Sequence, residues 1–518
     1  MRILLILFII VATLSYGQNQ NISEGNIFDG EPYISINPTN SQHMVVAWMG
    51  YFPYTKIFIK TKVSFDGGAT WGNDSYIEHA NSTYGSADPS IEFDNLGNVF
   101  ISYIDYNADG SSGAVYLVKS TDNGITWGTP TEVINLNADA GKYPIDRPWM
   151  SIDRSNGVNN GNIYITTMPP GVFGPLSPPF HPYFMVSTDN GDSFSAWKYL
   201  DTTNWLSGNI IQQPMPTNCV SGDGTFYAVY PSYLISQSYY AQYIIASTTD
   251  AGNSFNYNNV FYSTGAVSDS LAKIGYLLRS NPNNVNHLAF FYLDDTYGDI
   301  DIFMIESFDK GVNWSSAIRI NDDPIANDRM QDLVWADFDN DGDLVVSWRD
   351  RRNANDSIYT TSSEIWASTR FNDSTNFSAN FVISDNLVAY DTILAYSGND
   401  FMCIKLVDDT LNAVWGDTRN GKLNIWYQRM SINGTVLSVQ NLSSENILEI
   451  KLFPNPTASY IDIEGCLVSA VNVYNTDGKI VLKSKNTNRI DLTKLENSTY
   501  ILQITTPKGI VNKRIVKK

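Results

Sequence analysis

The sequence predicts an all-β protein made mainly of a repeated multi-stranded unit, followed by a small β-domain of opposite charge. Three observations support this prediction. The 518 residues include 35 Gly and 21 Pro but only 17% charged residues, a composition typical of many short elements joined by tight turns. One eight-residue pattern recurs along most of the chain. The sign of the charge also changes near residue 445, which indicates a separate domain.

The recurring pattern is Ser/Thr-x-Asp-x-Gly-x-x-aromatic. Its five copies are SFDGGATW (64–71), STDNGITW (120–127), STDNGDSF (187–194), TTDAGNSF (248–255) and SFDKGVNW (307–314). Each copy follows an alternating apolar run, so each unit contains a strand, a tight Asp-x-Gly turn and an aromatic residue that fills the turn. Two more strands precede each copy, and four strands per unit predict the blade of a β-propeller.

These copies resemble the Asp boxes of sialidase-type β-propellers. The resemblance implies the fold but not the reaction, because the box is a structural turn. We expect seven blades within residues 25–443, or six if one unit only completes its neighbour. The predicted first strands begin near Glu31, Asp88, Asp146, Gln212, Leu277, Met330 and Met402.

The ends of the chain indicate export. Residues 1–18 combine a positive start with a short apolar run, as in a secretory signal, and no stretch approaches the roughly 20 apolar residues of a membrane span. Residues 445–518 contain 11 Lys or Arg and 7 Asp or Glu, and their alternating runs and Asp-Gly turns predict a small β-sandwich. The segment Phe453-Pro454-Asn455-Pro456-Thr457 and the basic ending resemble the C-terminal sorting domain of the type IX secretion system.

That resemblance implies passage through the periplasm to the outer cell surface or the medium, with the type IX machinery as a partner. The net charge of −20 disfavours nucleic acid as a partner, because an acidic surface repels phosphate groups. Three cysteines far apart in sequence predict thiols rather than a disulfide framework. We expect a monomer.

Propeller geometry predicts where a ligand binds. First strands begin and second strands end at the pole opposite the boxes, and charged residues that converge there form the default site. Glu31 begins the first strand at this pole. The expected catalytic carboxylates are Asp88, Asp146, Asp350 and Asp417, and the expected ligand-binding residues are Arg147, Arg349, Arg351, Arg419, Asp105 and His181.

The sialidase resemblance implies that three arginines bind the carboxylate of the substrate, that an aspartic acid donates a proton and that a tyrosine is the nucleophile. Pole arginines are present, but the usual Arg-Ile-Pro is absent. We therefore expect a glycan-binding propeller for which glycoside hydrolysis is one interpretation. The alternatives are a non-catalytic binding module and a polysaccharide lyase that uses His79 or His181 as its base.

No catalytic cofactor is expected, but a structural calcium ion is a hypothesis. Asp337, Asp339 and Asp341 have the oxygen spacing of a calcium loop. Position twelve of that loop is Trp348, where an EF-hand has an acidic ligand.

Overall fold

The computed structural model describes residues 19–52, 56–171, 176–263, 275–390, 399–437, 451–465, 467–475, 479–506 and 509–518. The predicted signal segment, Cys466 and the boundary between the two predicted domains lie outside these ranges. The chain divides into two compact units, Met1–Ser438 and Val439–Lys518. None of the described residues forms a helix long and apolar enough to cross a bilayer.

The described part of the first unit contains seven antiparallel four-stranded sheets. The first sheet contains β2 (Asp29–Ile36), β3 (Met44–Phe52), β4 (Lys56–Ser64) and β5 (Ser75–Tyr76), and the second contains β6 (Gly85–Phe93), β7 (Val99–Tyr106), β8 (Gly113–Ser120) and β9 (Thr131–Asn135). The third contains β10 (Asp146–Ile152), β11 (Ile163–Met168), β12 (Tyr183–Ser187) and β13 (Lys198–Tyr199), and the fourth contains β14 (Thr217–Val220), β15 (Phe226–Ser232), β16 (Gln242–Thr248) and β17 (Asn256–Tyr262). The fifth contains β18 (Tyr276–Ser280), β19 (Leu288–Asp294), β20 (Asp301–Ser307) and β21 (Ile318–Arg319), and the sixth contains β22 (Gln331–Phe338), β23 (Leu344–Asp350), β24 (Glu364–Arg370) and β25 (Phe381–Val382). The seventh contains β26 (Cys403–Val407), β27 (Thr410–Asp417) and β28 (Asn424–Ser431), together with β1 (Gln20–Asn21).

The sheets form a closed ring. The first strand of each sheet contacts the first strand of the next, and β26 of the last sheet contacts β2 of the first. Strand β1 closes the ring by pairing with the outer edge of β28, with Gln20 opposite Tyr427 and Asn21 opposite Trp426. Second strands such as β15 and β23 are buried along their whole length, because each sheet packs on both faces. The first unit is therefore a β-propeller with a central channel.

The Asp boxes are self-contained turns between third and fourth strands. In the second box the Ser120 hydroxyl donates to Asp122 (2.7 Å) and accepts the Gly124 N–H (2.9 Å), while Asp122 accepts the Thr126 N–H (2.9 Å). The other four boxes repeat the bond from the glycine N–H to the Ser or Thr hydroxyl. Trp127 donates its indole N–H to Thr61 of the neighbouring sheet (3.2 Å), so the box also fastens one blade to the next.

Four first strands contain the same β-bulge near the pole, at which one extra residue interrupts the pairing with the second strand. The extra residue has a positive φ, which is uncommon for residues other than glycine and stores strain. A proline follows three of these residues. A bulge also changes the direction of its extra side chain, which no longer follows the alternation of side chains between the two faces of the strand. The four residues are Glu31 (φ 54°), Asp88 (φ 53°), Arg147 (φ 49°) and Leu333 (φ 61°).

The second unit contains two sheets around one apolar core. One sheet has the order β29 (Lys451–Phe453), β30 (Tyr460–Glu464), β33 (Arg489–Asp491), and the other has the order β32 (Ile480–Lys485), β31 (Ala470–Tyr474), β34 (Ser498–Thr506), β35 (Gly509–Lys517). Residues such as Ile461, Val471, Leu502 and Ile515 alternate with exposed neighbours and are buried between the sheets.

Candidate active site

Three of the bulges bring charged side chains together at the pole. We call Glu31, Asp88, Asp146, Arg147 and Asp400 the pole cluster. The carboxyl of Glu31 is hydrogen-bonded to those of Asp88 and Asp400. A guanidinium nitrogen of Arg147 lies 2.5 Å from Asp400, and the Arg147 backbone N–H donates to Asp88 (3.3 Å). Four carboxyl groups therefore surround one guanidinium.

Glu31 is a strongly perturbed carboxyl of this cluster. Its residue is 3% exposed, and its Oε2 has no hydrogen-bond partner among the described residues. Burial, followed by the negative charges of Asp88 and Asp400, raises the pKa of Glu31 well above its usual value. Burial and like charges therefore favour the protonated form of Glu31, whose carboxyl is hydrogen-bonded to both neighbours.

Arg147 is the counter-ion of the cluster. Burial alone would lower the pKa of Arg147, but Asp400, Asp88, Asp146 and Glu31 together raise it, so the guanidinium stays charged. The residue is 3% exposed and its guanidinium lies 5.6 Å from the centre of the Phe401 ring. Arg147 is thus held inside the protein by Asp400, and its donors are not directed at solvent.

The cluster is open to solvent along one side. Asp88 is half-buried, and the side chain of Asp400 is 32% exposed. On the flank, Gln213 donates its amide to Asp146 (3.0 Å). Burial, and then the charges of Asp88, Asp146 and Glu31, raise the pKa of Tyr106, which places this phenol within the field of the cluster. A ligand can therefore approach the pole cluster past Asp88 and Asp400.

Asp350 and Asp417 do not join this cluster through any described contact. The indole N–H of Trp348 donates to Asp350 (2.6 Å), and that of Trp415 donates to Asp417 (2.8 Å). Arg419 donates two hydrogen bonds to the Asp417 it follows, and it also pairs with Asp385. These carboxylates close Trp-x-Asp corners at the ends of β23 and β27, where their acceptors are already used.

Arg349 and Arg351 are also held elsewhere. Arg349 binds Asp332 with two hydrogen bonds (2.7 and 2.6 Å), and Arg351 approaches the same carboxylate at 3.1 and 3.3 Å. Burial would raise the pKa of Asp332, but the two guanidinium groups hold it well below its usual value. The structure therefore does not assemble the three-arginine clamp that the resemblance implies, because each of these arginines has a nearer acidic partner.

Asp105 and the histidines form buried pairs. His79 Nδ1 lies 2.8 Å from Asp105, which also accepts the backbone N–H of Ala80 (2.8 Å). His181 Nδ1 lies 2.8 Å from Asp201, and its ring stacks on Tyr199 at 3.9 Å between centroids. Neither imidazole has a described contact with the pole cluster.

The expected calcium loop is only partly assembled. Asp339 and Asp341 lie with Asp343 and Asp409 in a group whose carboxylate oxygens are within 4.8 Å of one another. Burial and the neighbouring Asp341 raise the pKa of Asp339. Asp337 is not part of this group, because it lies on β22, 3.7 Å from the ammonium of Lys405, and accepts the backbone N–H of Leu406 (3.0 Å).

Sequence reasoning missed two members of the site and the role of a third. Asp400 lies three residues before the last first strand begins at Cys403, and this strand has no bulge and therefore no motif that marks it. Tyr106 ends β7, where aromatic residues are common core residues. Glu31 was placed at the pole without a role. The useful signal is a charged residue followed by proline in three successive first strands, which marks the bulge.

Comparisons with known proteins identify the second unit. Residues 451–518 match the family described as the secretion system C-terminal sorting domain, which confirms the resemblance of the tail. No curated protein sequence matches the chain. Several solved structures are similar in fold, and at their low identities and TM-scores below 0.5 they carry no functional argument.

One is a protein of unknown function from Dyadobacter fermentans, with 14% identity, a TM-score of 0.41, and 68% of this chain and 98% of that chain covered. Another is an alpha-L-arabinofuranosidase of Fusarium graminearum, with 14% identity, a TM-score of 0.43, and coverage of 80% and 98%. A third is a NanB sialidase of Streptococcus pneumoniae, with 14% identity, a TM-score of 0.40, and coverage of 82% and 72%. Because its tail belongs to the sorting-domain family, this propeller protein is secreted to the cell surface or beyond.

Proposed function

We propose that the pole cluster is the acid–base centre of a glycoside hydrolase that acts on neutral glycans. The observation that supports this proposal is the hydrogen bond between Glu31, whose pKa is raised, and Asp88. Glycoside hydrolysis needs one protonated carboxyl and one ionised carboxylate on either side of the scissile bond, about 5–9.5 Å apart. Substrate binding would therefore have to part the hydrogen-bonded carboxyls of Glu31 and Asp88. Glu31 would donate its proton to the leaving oxygen, and Asp88 would act as nucleophile or as the base that activates water.

Asp88 suits this second role better than its neighbours. Asp400 is paired with Arg147 at 2.5 Å, and Asp146 accepts an amide proton from Gln213 at 3.0 Å. Asp88 is half-buried at the open side, and its contact with the Arg147 N–H is long at 3.3 Å. Asp88 is therefore held by its hydrogen bond to Glu31 and by this long contact, without the close ion pair that holds Asp400.

The charge of the cluster favours a neutral substrate. Four carboxyl groups face one arginine, so the site stays negative even with Glu31 protonated. Such a site stabilises the positive charge that develops on the sugar ring in the transition state. It repels the carboxylate of a sialic or uronic acid, and the guanidinium of Arg147 is already paired with Asp400.

The test is hydrolysis by the purified full-length chain. The panel contains neutral aryl furanosides and pyranosides, polymeric neutral glycans, sialosides and uronides, with reducing ends as readout. We expect turnover on neutral substrates only. Glu31→Gln is expected to lower kcat by about 10²–10⁴-fold, the usual contribution of a general acid, and Asp88→Asn by a similar factor.

Glu132→Gln is the matched control, because Glu132 is an exposed carboxylate on β9. It should leave kcat unchanged. Turnover of sialosides, or Glu31→Gln with full activity, would contradict the proposal. Binding of neutral glycans without turnover would identify a binding module instead, and unsaturated products from uronides would identify a lyase.

A further inference from the structure

The central channel contains a second charged region, distinct from the pole cluster. A cavity of about 440 Å³ runs along the channel. Arg147 and Asp400 line one end, and the turns that join first to second strands, such as 37–41, line the other. These turns lie on the side of the Asp boxes, because Gly67 of the first box donates its N–H to Gln42 (2.9 Å).

An aromatic group lies between the two ends of the cavity. The ring of Tyr33 lies 6.0 Å from that of Trp149 and 5.3 Å from that of Trp335, and Phe401 lies 5.2 Å from Trp149. Tyr33, Trp149 and Trp335 lie on three first strands, Phe401 lies two residues before a fourth, and all four line the cavity. We call the side of the cavity nearer the boxes the lower chamber.

Five charged side chains from five blades line the lower chamber: Glu92, Arg154, Arg279, Asp337 and Lys405. Arg154 pairs with Glu92, whose carboxylate also lies 3.5 Å from the Lys405 ammonium. Lys405 lies 3.7 Å from Asp337 on its other side. Two carboxylates thus serve three cations. Asp339 and Asp408 at the mouth belong to turns, and Asp339 accepts the N–H groups of Gly342 and Asp343.

Arg279 is the cation of the lower chamber that forms no described ion pair with a carboxylate. Its Nε and Nη1 donate to the backbone carbonyls of Ala336 (2.8 Å) and Leu278 (3.0 Å), and its guanidinium lies 5.1 Å from the centre of the Trp335 ring. Within the described part of the chain, no carboxylate lies in ion-pair distance of it and no hydrogen bond uses its Nη2. A planar guanidinium edge fixed by two carbonyls and a ring is a ready donor for an oxyanion.

We infer that the lower chamber binds a small oxyanion, a phosphate or a carboxylate, between the guanidinium of Arg279 and the ammonium of Lys405. Glu92 and Asp337 balance two of the three cations, and the anion supplies the remaining negative charge. It also accepts hydrogen bonds from the ammonium of Lys405, which lies 3.5 Å from Glu92 and 3.7 Å from Asp337, too far for good hydrogen bonds to them. The cavity of about 440 Å³, of which the lower chamber is one part, has room for it. The pole cluster lies toward the other end of the same cavity.

The test is titration calorimetry of the full-length chain with inorganic phosphate and, in a second arm, acetate, with sodium chloride at matched ionic strength as the reference. We expect saturable heat with at least one of the two anions, and the two arms distinguish phosphate from carboxylate. Arg279→Met and Lys405→Met should each weaken the binding at least tenfold. Lys119→Met on β8 and Arg489→Met in the tail are matched controls and should leave it unchanged.

Unsaturable heat in both arms would overturn the inference, as would equal binding by Arg279→Met and Lys405→Met. Circular dichroism checks the fold of each variant. If Arg279→Met does not fold, Lys405→Met decides the outcome alone. Glu31→Gln at the pole should bind the anion like the unmodified chain, so failure of the proposed hydrolase and failure of the lower chamber are separate results.

Discussion

Two groups of charges occupy the same pole of the propeller and differ in how their charges are balanced. In the first three blades, bulges direct Glu31, Asp88 and Arg147 to the channel axis, where carboxyls outnumber guanidinium groups. In the sixth blade, Asp332 binds both Arg349 and Arg351 within hydrogen-bond distance. One group keeps an excess of like charge and a raised pKa, and the other satisfies its own charges. The difference indicates that the first group is arranged for a ligand and the second for stability.

The largest expected stability effect tests the second group. Asp332→Ala leaves the buried guanidinium groups of Arg349 and Arg351 without their carboxylate, and removal of one partner of such a pair costs about 3–5 kcal/mol of unfolding free energy. Urea unfolding measures it. Glu132→Gln, an exposed change, should stay within about 0.5 kcal/mol. A cost below about 1 kcal/mol for Asp332→Ala would show that these charges do not brace the blade.

A smaller effect is expected at the Asp boxes. Trp127 is half-buried and donates to Thr61 (3.2 Å), so Trp127→Ala should lower the unfolding free energy by about 2–3 kcal/mol, less than a fully buried tryptophan would. Ile125 in the same turn is 54% exposed, and Ile125→Ala should be nearly neutral. Equal losses of unfolding free energy for the two variants would show that Trp127 does not stabilise the contact between neighbouring blades.

Loss of a carboxyl from the pole cluster should stabilise the folded protein at high pH, whereas loss of Asp332 should destabilise it. The folded state holds the proton of Glu31 more tightly than the unfolded state. The contribution of Glu31 to stability is therefore fully present below its unfolded pKa and is lost as pH rises toward its raised folded pKa, by up to about 1.4 kcal/mol per pH unit. Glu31→Gln should remove this slope and be the more stable protein at high pH. Identical pH profiles of unfolding for the two proteins would contradict the raised pKa.

The smallest effect concerns calcium. The sequence predicts calcium at Asp337, Asp339 and Asp341, and the structure groups Asp339 and Asp341 with Asp343 and Asp409 instead. If these four carboxylates hold calcium, the ion should raise the melting temperature by a few degrees and magnesium should not. The gain should shrink as pH falls, because burial and Asp341 raise the pKa of Asp339 and the proton competes with the ion. Asp339→Asn should abolish the gain, and Asp356→Asn on an exposed loop should keep it.

The sequence predicts the architecture better than the site. The box pattern identifies third strands and turns, and counting back from each box places Asp88 and Asp146 at the pole. Pairing among charges is a different problem, because Arg147 on a first strand and Arg349 on a second strand are both predicted at the pole, and each pairs with a different carboxylate. That choice depends on bulges and on residues remote in sequence, such as Asp400 beside Arg147. Periodicity alone contains no such information.

Closure of the ring by β1 has a consequence for how the protein is made. Pairing of Gln20 and Asn21 with Tyr427 and Trp426 joins segments from opposite ends of the propeller sequence. The last sheet therefore lacks its outermost strand until nearly the whole propeller sequence has been synthesised, and contacts this distant in sequence form slowly. While the chain emerges from the ribosome, its ring of sheets is not yet closed by β1. Translation and translocation can therefore finish before β1 pairs with β28 and completes the propeller.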